Sequence, residues 1–358
     1  MLTPIRATID TAALRHNLGR VRERAPGTRV MAVIKANGYG HGLEAVARAL
    51  GAVDGIAVAR LDEALALRHA GCAGRILLLE GAFDAAQLAA AVGAGLELMV
   101  NGPEQLQMLE QRDGAGQIRV WVKVDTGMNR LGFRPEEFRD AHDRLRRIPG
   151  VEPEPVLATH LASAEDTADP KTAGQLAAFQ SATSGVPGPR SIANSAGVLA
   201  WPAARGDWVR PGLMLYGLSP FPQGTGADFG LRAVMSFETR VIAVRNVRSG
   251  ETVGYGGTWR AARDSRVAVV AAGYGDGYPR SARAGTPVLV GGRRAPLAGR
   301  VSMDMLTVDV TDVPAVSVGD PVELWGRGVA VEDVARAADT IPYELTCGVG
   351  PRVPREFR

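Results

Sequence analysis

The sequence predicts an α/β chain, an N-terminal (β/α)8 barrel of the TIM type followed by a mostly antiparallel β-domain. Three observations carry this expectation. From residue 10 to about 220 a short apolar run, a turn and an amphipathic Ala/Leu/Arg-rich stretch recur, and the apolar runs number eight. After about Ala227 helical periodicity fades, and short Val-, Thr- and aromatic-rich runs alternate with Gly- and Pro-rich turns. Finally, polar residues with usable chemistry follow the apolar runs of the first part, at the strand ends where such barrels keep their sites. The division expected is residues 1–227 for the barrel and 228–358 for the β-domain.

The elements follow in order. Asp10 suits the N-cap of a first helix running to about Arg24. The eight strand candidates are Val30–Ile34, Gly55–Ala59, Arg75–Leu79, Leu96–Val100, Arg119–Val124, Pro155–Thr159, Arg190–Ala193 and Asp207–Arg210. Helical patterns between them include Leu61–His69, Asp84–Val92, Pro103–Gln111, Pro135–Arg147 and Lys171–Gln180. Eight strands alternating with helices favour closure over an open sheet. In the last third, strands are expected at Ser236–Asn246, Arg266–Ala271, Pro287–Val290, Met303–Val310 and Pro321–Trp325, with a single helix at Val331–Ala338.

Composition narrows the function. The 358 residues are 46% hydrophobic and 22% charged, a globular balance with room for two domains. The net charge of +3 is scattered rather than gathered on a stripe, which argues against nucleic acid as a partner. No window approaches a membrane span, and the N-terminal MLTPIRATID has no apolar signal core. Cys72 and Cys347 stand far apart and match no metal-ligand spacing, as expected of reduced thiols in a cytoplasmic protein.

The stretch AVIKANGYGHG, Ala32 to Gly42, organises the candidate site. Lys35 follows a buried-strand pattern and precedes a Gly-rich turn. Only three lysines occur among 41 Lys and Arg residues, so general surface charge is carried by Arg. A retained Lys reads either as a loop residue in an Arg-biased chain or as a required amine, since guanidinium stays protonated and forms no Schiff base. Lys123-Val124-Asp125 through Arg130 ends the fifth strand, His160 the sixth, Asn194-Ser195 the seventh and Arg210-Pro211-Gly212 the eighth. Singly, His160 reads as a hydrogen-bonded core histidine, Arg130 as an ion-pair partner, His41 as a loop-orienting residue, and Asp125 and Asp207 as caps or strand-end partners. Together they suggest one pocket. The small residues of Asn194–Gly197 and Pro211–Leu213 are either ordinary turns or a phosphate cradle of amides and a hydroxyl. An amine beside a phosphate cradle is what pyridoxal 5′-phosphate requires.

These residues resemble the alanine racemase family. AVIKANGYGHG is similar to its cofactor-lysine signature, and VDTGMNRLGF, ATHLASAE, ANSAG, VRPGLMLYG, VGYGGTW, GYGDGYPR, GRVSMDML and IPYEL resemble further family blocks in the same order across both parts of the chain. The resemblance implies that Lys35 holds the cofactor as an internal aldimine and acts as one base, with Tyr255, reaching from a partner subunit, as the other. It implies that Tyr39, Ser195, Gly212, Leu213 and Tyr343 bind the phosphate, with Asn194 beside them. Arg210 would face the pyridine nitrogen with His160 behind it. Arg130 and the Met303 amide would take the substrate carboxylate, and Tyr274, Arg280 and Asp304 would line or support the entrance. Lys123 matches a lysine that is carbamylated in some relatives. The implied reaction is interconversion of L- and D-alanine in a homodimer with shared sites, serving either D-alanine supply to peptidoglycan precursors or alanine catabolism. Departures are small: Gly38 stands where Ala is frequent, and Ser302 where Cys also occurs. The alternatives are a broad-specificity racemase of the same fold, a decarboxylase, which VGYGGTW and GYGDGYPR disfavour, and a non-catalytic cofactor carrier, which would leave the Tyr255 domain without a role.

Overall fold

The computed structural model describes residues 4–112 and 116–358. The chain opens with β1 (Arg6–Ile9) and the helix Thr11–Arg24, whose first turn is capped by Asp10 accepting from the Ala13 amide at 2.9 Å. Eight parallel strands then close into a barrel in chain order: β2 (Arg29–Val33), β3 (Gly55–Val58), β4 (Ile76–Leu78), β5 (Glu97–Val100), β6 (Val120–Lys123), β7 (Val156–Ala158), β8 (Arg190–Ser191) and β9 (Trp208–Val209). Closure comes from β9 pairing with β2, Trp208 opposite Arg29 and Val209 opposite Val30. Each strand lies inside its expected run or within a residue of it, and the helices Leu61–His69 and Pro135–Arg147 have the expected bounds. Parallel strands covered on both faces read as unbroken apolar runs, which is why so few residues sufficed to mark them.

The two ends of the barrel differ in kind. At the amino end, Arg29 and Arg75 lie over the Trp208 ring at 4.4 and 4.7 Å, and Trp121 packs against Trp208 at 5.5 Å. The buried Glu97 carboxylate pairs with Arg75 and accepts from the Trp121 indole at 2.8 Å. Charge there is matched internally, so this end is a plug that holds the barrel shut. The carboxyl end is left for chemistry.

The second layer is an eight-stranded, mostly antiparallel sheet. Its spine is the long β10 (Met235–Val247). Between it and β13 (Ser265–Val270) lies a small hairpin of β11 (Thr252–Val253) and β12 (Trp259–Arg260). β14 (Pro287–Val290), β15 (Arg293–Pro296), β16 (Leu306–Asp309), β17 (Pro321–Trp325) and β18 (Arg355–Phe357) complete it. The order is β15-β14-β17-β10-β1-β18, with β13 on β10 and β16 on β13. The core of this layer stacks Phe237, Trp325 and Tyr278.

Three differences from the sequence expectation matter. β1 joins the β-domain sheet, antiparallel to β10 and parallel to β18, although it precedes the barrel. Four residues whose partners lie more than two hundred positions away leave no local pattern to read. The expectation of a single helix in the last third is corrected: beside Val331–Ala337 there is a helix at Pro342–Cys347, six residues with Pro in the first turn, too short to show periodicity. The strand expected at Met303–Val310 begins at Leu306, which leaves Met303 in a loop.

Candidate active site

Lys35 stands two residues beyond β2, at the mouth of a cavity of about 460 Å³. The turn after it was expected to be tight and Gly-rich. It is in fact wound left-handed, with φ between +52° and +80° at Ala36, Asn37, Gly38, Tyr39 and Gly40. The Gly38 amide reaches the Ile34 carbonyl and the Gly40 amide the Ala36 carbonyl, both at 2.9 Å. Left-handed backbone costs roughly 1–2 kcal/mol for each residue bearing a Cβ, so glycine at 38 and 40 limits the strain. Buried His41 pins the turn: its Nδ1 donates to the Tyr39 carbonyl at 2.8 Å, and its ring lies against Tyr216 at 4.5 Å.

One corner of the cavity gathers hydroxyls and backbone amides. Ser195 opens the helix Ser195–Ala200, and its Oγ accepts from the Gly212 and Met214 amides at 3.0 and 3.2 Å. Asn194 caps the same helix, accepting from the Gly197 amide at 2.9 Å. Tyr39 stacks on Tyr216 at 4.8 Å and meets Tyr343 at 5.9 Å. A Cβ on Gly212 would fall 2.4 Å from the Tyr39 hydroxyl, so only glycine lets backbone and phenol converge there. Leu213 and Tyr343 complete the corner.

The floor is cationic. Arg210 is buried, and its guanidinium donates to Ser191 Oγ at 2.6 Å, to the carbonyls of Thr159 at 2.5 Å and Ile192 at 3.2 Å, and to His160 Nδ1 at 3.3 Å. Burial without a carboxylate lowers its pKa to about 10. Burial and the cations of Arg210, Lys123, Arg130 and Lys35 push His160 well below the usual imidazole range, so His160 is neutral and accepts from Arg210. Lys123, buried at the end of β6, is lowered to about 8 by burial first and then by Arg130 and Arg210. Arg130 rides on a loop folded around Asp125, whose Oδ1 accepts from the amides of Gly127, Met128 and Asn129 at 3.0 Å each. Burial raises the Asp125 pKa, but those amides and Arg134 outweigh it and hold the carboxyl below its ordinary value. The lining thus carries Lys35, Lys123, Arg130 and Arg210 against one carboxylate, Glu80.

Of the residues singled out in the sequence, Lys35, Tyr39, Lys123, Arg130, His160, Asn194, Ser195, Arg210, Gly212, Leu213 and Tyr343 all line this cavity. Tyr255, Tyr274, Arg280, Met303 and Asp304 do not. They lie on loops of the β-domain, with Tyr255 65% and Met303 54% exposed. The loops of Tyr274, Arg280, Met303 and Asp304 are tied together. The Gly275 amide donates to the Met303 carbonyl at 2.8 Å, Arg280 donates to Val301 and covers the Tyr274 ring, and Arg352 bridges Asp276 and Asp304 at 2.7 and 2.6 Å. The Met303 amide has no partner among the described residues. Sequence reading missed Ser191 and Thr159, which hold Arg210, and Asp276 and Arg352, which brace the exposed loops. Ser191 was legible as a buried polar residue on a barrel strand; the Arg352 bridge spans 76 and 48 positions and had no local signal.

Comparison with known proteins agrees with this geometry. The alanine racemase N-terminal domain family matches residues 9–220, and the C-terminal domain family matches 234–357. The chain is 53% identical over 352 residues to the alanine racemase of Halorhodospira halophila, covering 98% of this chain and 97% of that protein. It superposes on the biosynthetic alanine racemase of Pseudomonas aeruginosa with a TM-score of 0.97 and 49% identity, each chain covered in full. On the Bartonella henselae enzyme, solved with covalently bound pyridoxal phosphate, the TM-score is 0.89 at 30% identity, over 99% of this chain and 100% of that one. Barrel, sheet and both family matches run the length of the molecule, and the chain belongs to the alanine racemase family.

Proposed function

We propose that the chain interconverts L- and D-alanine by proton transfer between Lys35 and Tyr255 of the partner subunit, on opposite faces of a pyridoxal 5′-phosphate ring. The observation that carries this is the convergence, in one cavity, of an amine, a hydroxyl-and-amide corner and cations that the protein itself leaves unmatched. Such a lining fits a phosphate and a carboxylate: the Ser195–Gly212–Tyr39 corner has the donors of a phosphate site, and Arg210 lacks the acidic partner a structural arginine would have. When bound through Lys35, the cofactor supplies an electron sink that acidifies the α-carbon of alanine.

The residues divide the remaining work. Arg130, paired with no acid among the described residues, is placed to take the alanine carboxylate, with the unpartnered Met303 amide of a second subunit as the other donor. Arg210 would face the ring nitrogen of the bound cofactor as a donor only, since a guanidinium cannot accept a proton there, which would keep the sink shallow and favour prompt return of the proton over side reactions. Its lattice of carbonyls and the neutral His160 fix its position. Lys123, with its pKa lowered to about 8, holds a reactive neutral fraction at neutral pH, which suits carbamylation to an anion between Arg130 and Arg210. Two opposed bases are needed because one could serve both faces only by swinging around the substrate.

Tyr255 is absent from the cavity of its own chain and is exposed, as are Tyr274 and Met303, which supports a two-fold dimer in which each β-domain completes the partner's barrel mouth. The functional division is residues 1–227 and 228–358, with β1 lent to the sheet. Among the described residues no helix is long and apolar enough to cross a membrane, and the free thiols Cys72 and Cys347 suit the cytoplasm.

An enantiomer-exchange assay on the purified holoprotein tests this reading. Lys35→Ala is expected to abolish covalent cofactor and racemisation in both directions. Tyr255→Phe is expected to cut α-proton exchange from L-alanine far more than from D-alanine. Retention of the linkage without Lys35, or equal losses for the two enantiomers, overturns the assignment.

A further inference from the structure

A left-handed turn leaves the same unpaired groups as a right-handed one, amides at its start and carbonyls at its end. In the turn that carries Lys35, ions meet both ends. The Asn37 amide donates to Glu63 Oε1 at 3.2 Å, while Glu63 Oε2 accepts from the Ala59 and Arg60 amides at 3.1 and 3.4 Å. At the other end Arg355 Nε donates to the Gly40 carbonyl at 2.7 Å. The rest of that guanidinium reaches the carbonyls of Val349 at 2.8 Å, Val353 at 3.3 Å and Gly350 at 3.5 Å, the segment following the Tyr343 helix. Glu63 stands in the first turn of the helix after β3, and Arg355 belongs to β18 of the β-domain. A carboxylate at the amide end and a guanidinium at the carbonyl end also complement the dipole of the turn.

We propose that Glu63 and Arg355 are positioning residues for Lys35, a two-ended clamp that holds a strained turn in the one winding that aims the amine into the cavity. The inference rests on Lys35 being the cofactor lysine. Ala36, Asn37 and Tyr39 all lie at φ values that L-residues rarely adopt, so the turn unwinds toward ordinary backbone once an end is released. Unwinding swings the residue preceding it, which is Lys35. Through Arg355 the β-domain of the same chain fixes both the amine's turn and the Tyr343 segment, so the two sides of the cofactor site share one anchor.

The test uses Arg355→Ala, Arg355→Lys and Glu63→Ala holoproteins. Per cofactor-loaded site, kcat is expected to fall roughly tenfold to a hundredfold, the scale of a misplaced reacting group, with KM for alanine nearly unchanged. The circular-dichroism band of the bound cofactor weakens, and amide exchange of residues 36–42 quickens in the cofactor-free protein as well. Arg355→Lys recovers part of the loss, because it keeps one donor for Gly40 without the fork, and it decides the matter should Arg355→Ala not fold. Lower melting temperatures with unchanged kcat per loaded site, dichroism and exchange overturn the clamp. Lys35→Ala run alongside separates the failures: if the covalent linkage survives there, the reading of Lys35 falls and the clamp with it.

Discussion

At Arg210 the guanidinium is surrounded by carbonyls, a hydroxyl and an imidazole, and its chemistry is set by what is missing, a carboxylate. Burial acts in the same direction on His41. Its ring is fully enclosed, and burial, opposed by its bonds to Tyr39 and Gly38 and assisted by Arg355, lowers its pKa to about 4. An unfolded histidine titrates near ~6.5, so between about 6.5 and 4 the unfolded chain binds the proton more readily than the folded one. Stability supplied by neutral His41 is therefore complete above about 6.5 and is lost as pH falls to 4, by roughly 3 kcal/mol. Denaturant titrations across this window are expected to show the loss in the parent protein and a flatter profile in His41→Asn. Equal slopes would remove His41 as the acid-sensitive group and leave the loss to His142 and His160, which burial also lowers.

At the scale of elements, the left-handed turn and the helix Pro342–Cys347 are fitted to each other. A Cβ on Gly40 would lie 1.9 Å from the Thr346 carbonyl, in a residue already at φ +80°. Gly40→Ala is expected to push that helix and Tyr343 off the cradle, losing cofactor on gel filtration and lowering the melting temperature. Gly27→Ala is its control, since Gly27 has φ +76° with nothing within 4 Å of the added carbon. It is expected to show only the backbone cost of about 1 kcal/mol. Equal effects in the two variants would mean that the contact with Thr346 carries no weight. This fitted pair also marks where sequence reading ran out. Most barrel strands were legible because burial on both faces makes them short, largely apolar runs, and Lys35, His160, Ser195 and Arg210 were legible because strand ends fix where they fall. The handedness of residues 36–40 was not, since Ala36 and Tyr39 have no preference for it and tertiary contacts with Thr346 and Arg355 impose it. The helix at 342 and strand β1 were hidden for the same reason: neither carries a pattern of its own, and each exists because a distant surface receives it.

For the whole molecule, the proposed function makes the exposed Tyr255, Tyr274 and Met303 and the unmatched cations of the barrel mouth two halves of one site on different copies. This gives a subunit-mixing prediction. Lys35→Ala and Tyr255→Phe proteins, each inactive alone, are expected to regain activity when unfolded and refolded together, in proportion to the heterodimer formed, because one of its two mouths then has both bases. No recovery in a mixture proven to contain heterodimer would place both groups on a single chain's site.

The neighbouring positions of β1 and β18 have a consequence for the order of assembly. Ile9 pairs with Phe357, the Arg358 amide donates to the Ile9 carbonyl, and the Thr11 amide donates to the Arg358 carbonyl. During translation all eight staves of the barrel leave the ribosome well before residue 355 does. Strand β1 can meet β10 once residue 247 is made, but its other edge must wait for a neighbour made some 350 residues after it. Arg355 arrives in that same late segment, so on the clamp proposed above a nascent chain would have its lysine on display before the lysine is aimed. A reactive aldehyde met at that stage would find a loose amine rather than a shaped seat, and competence would wait for residue 355.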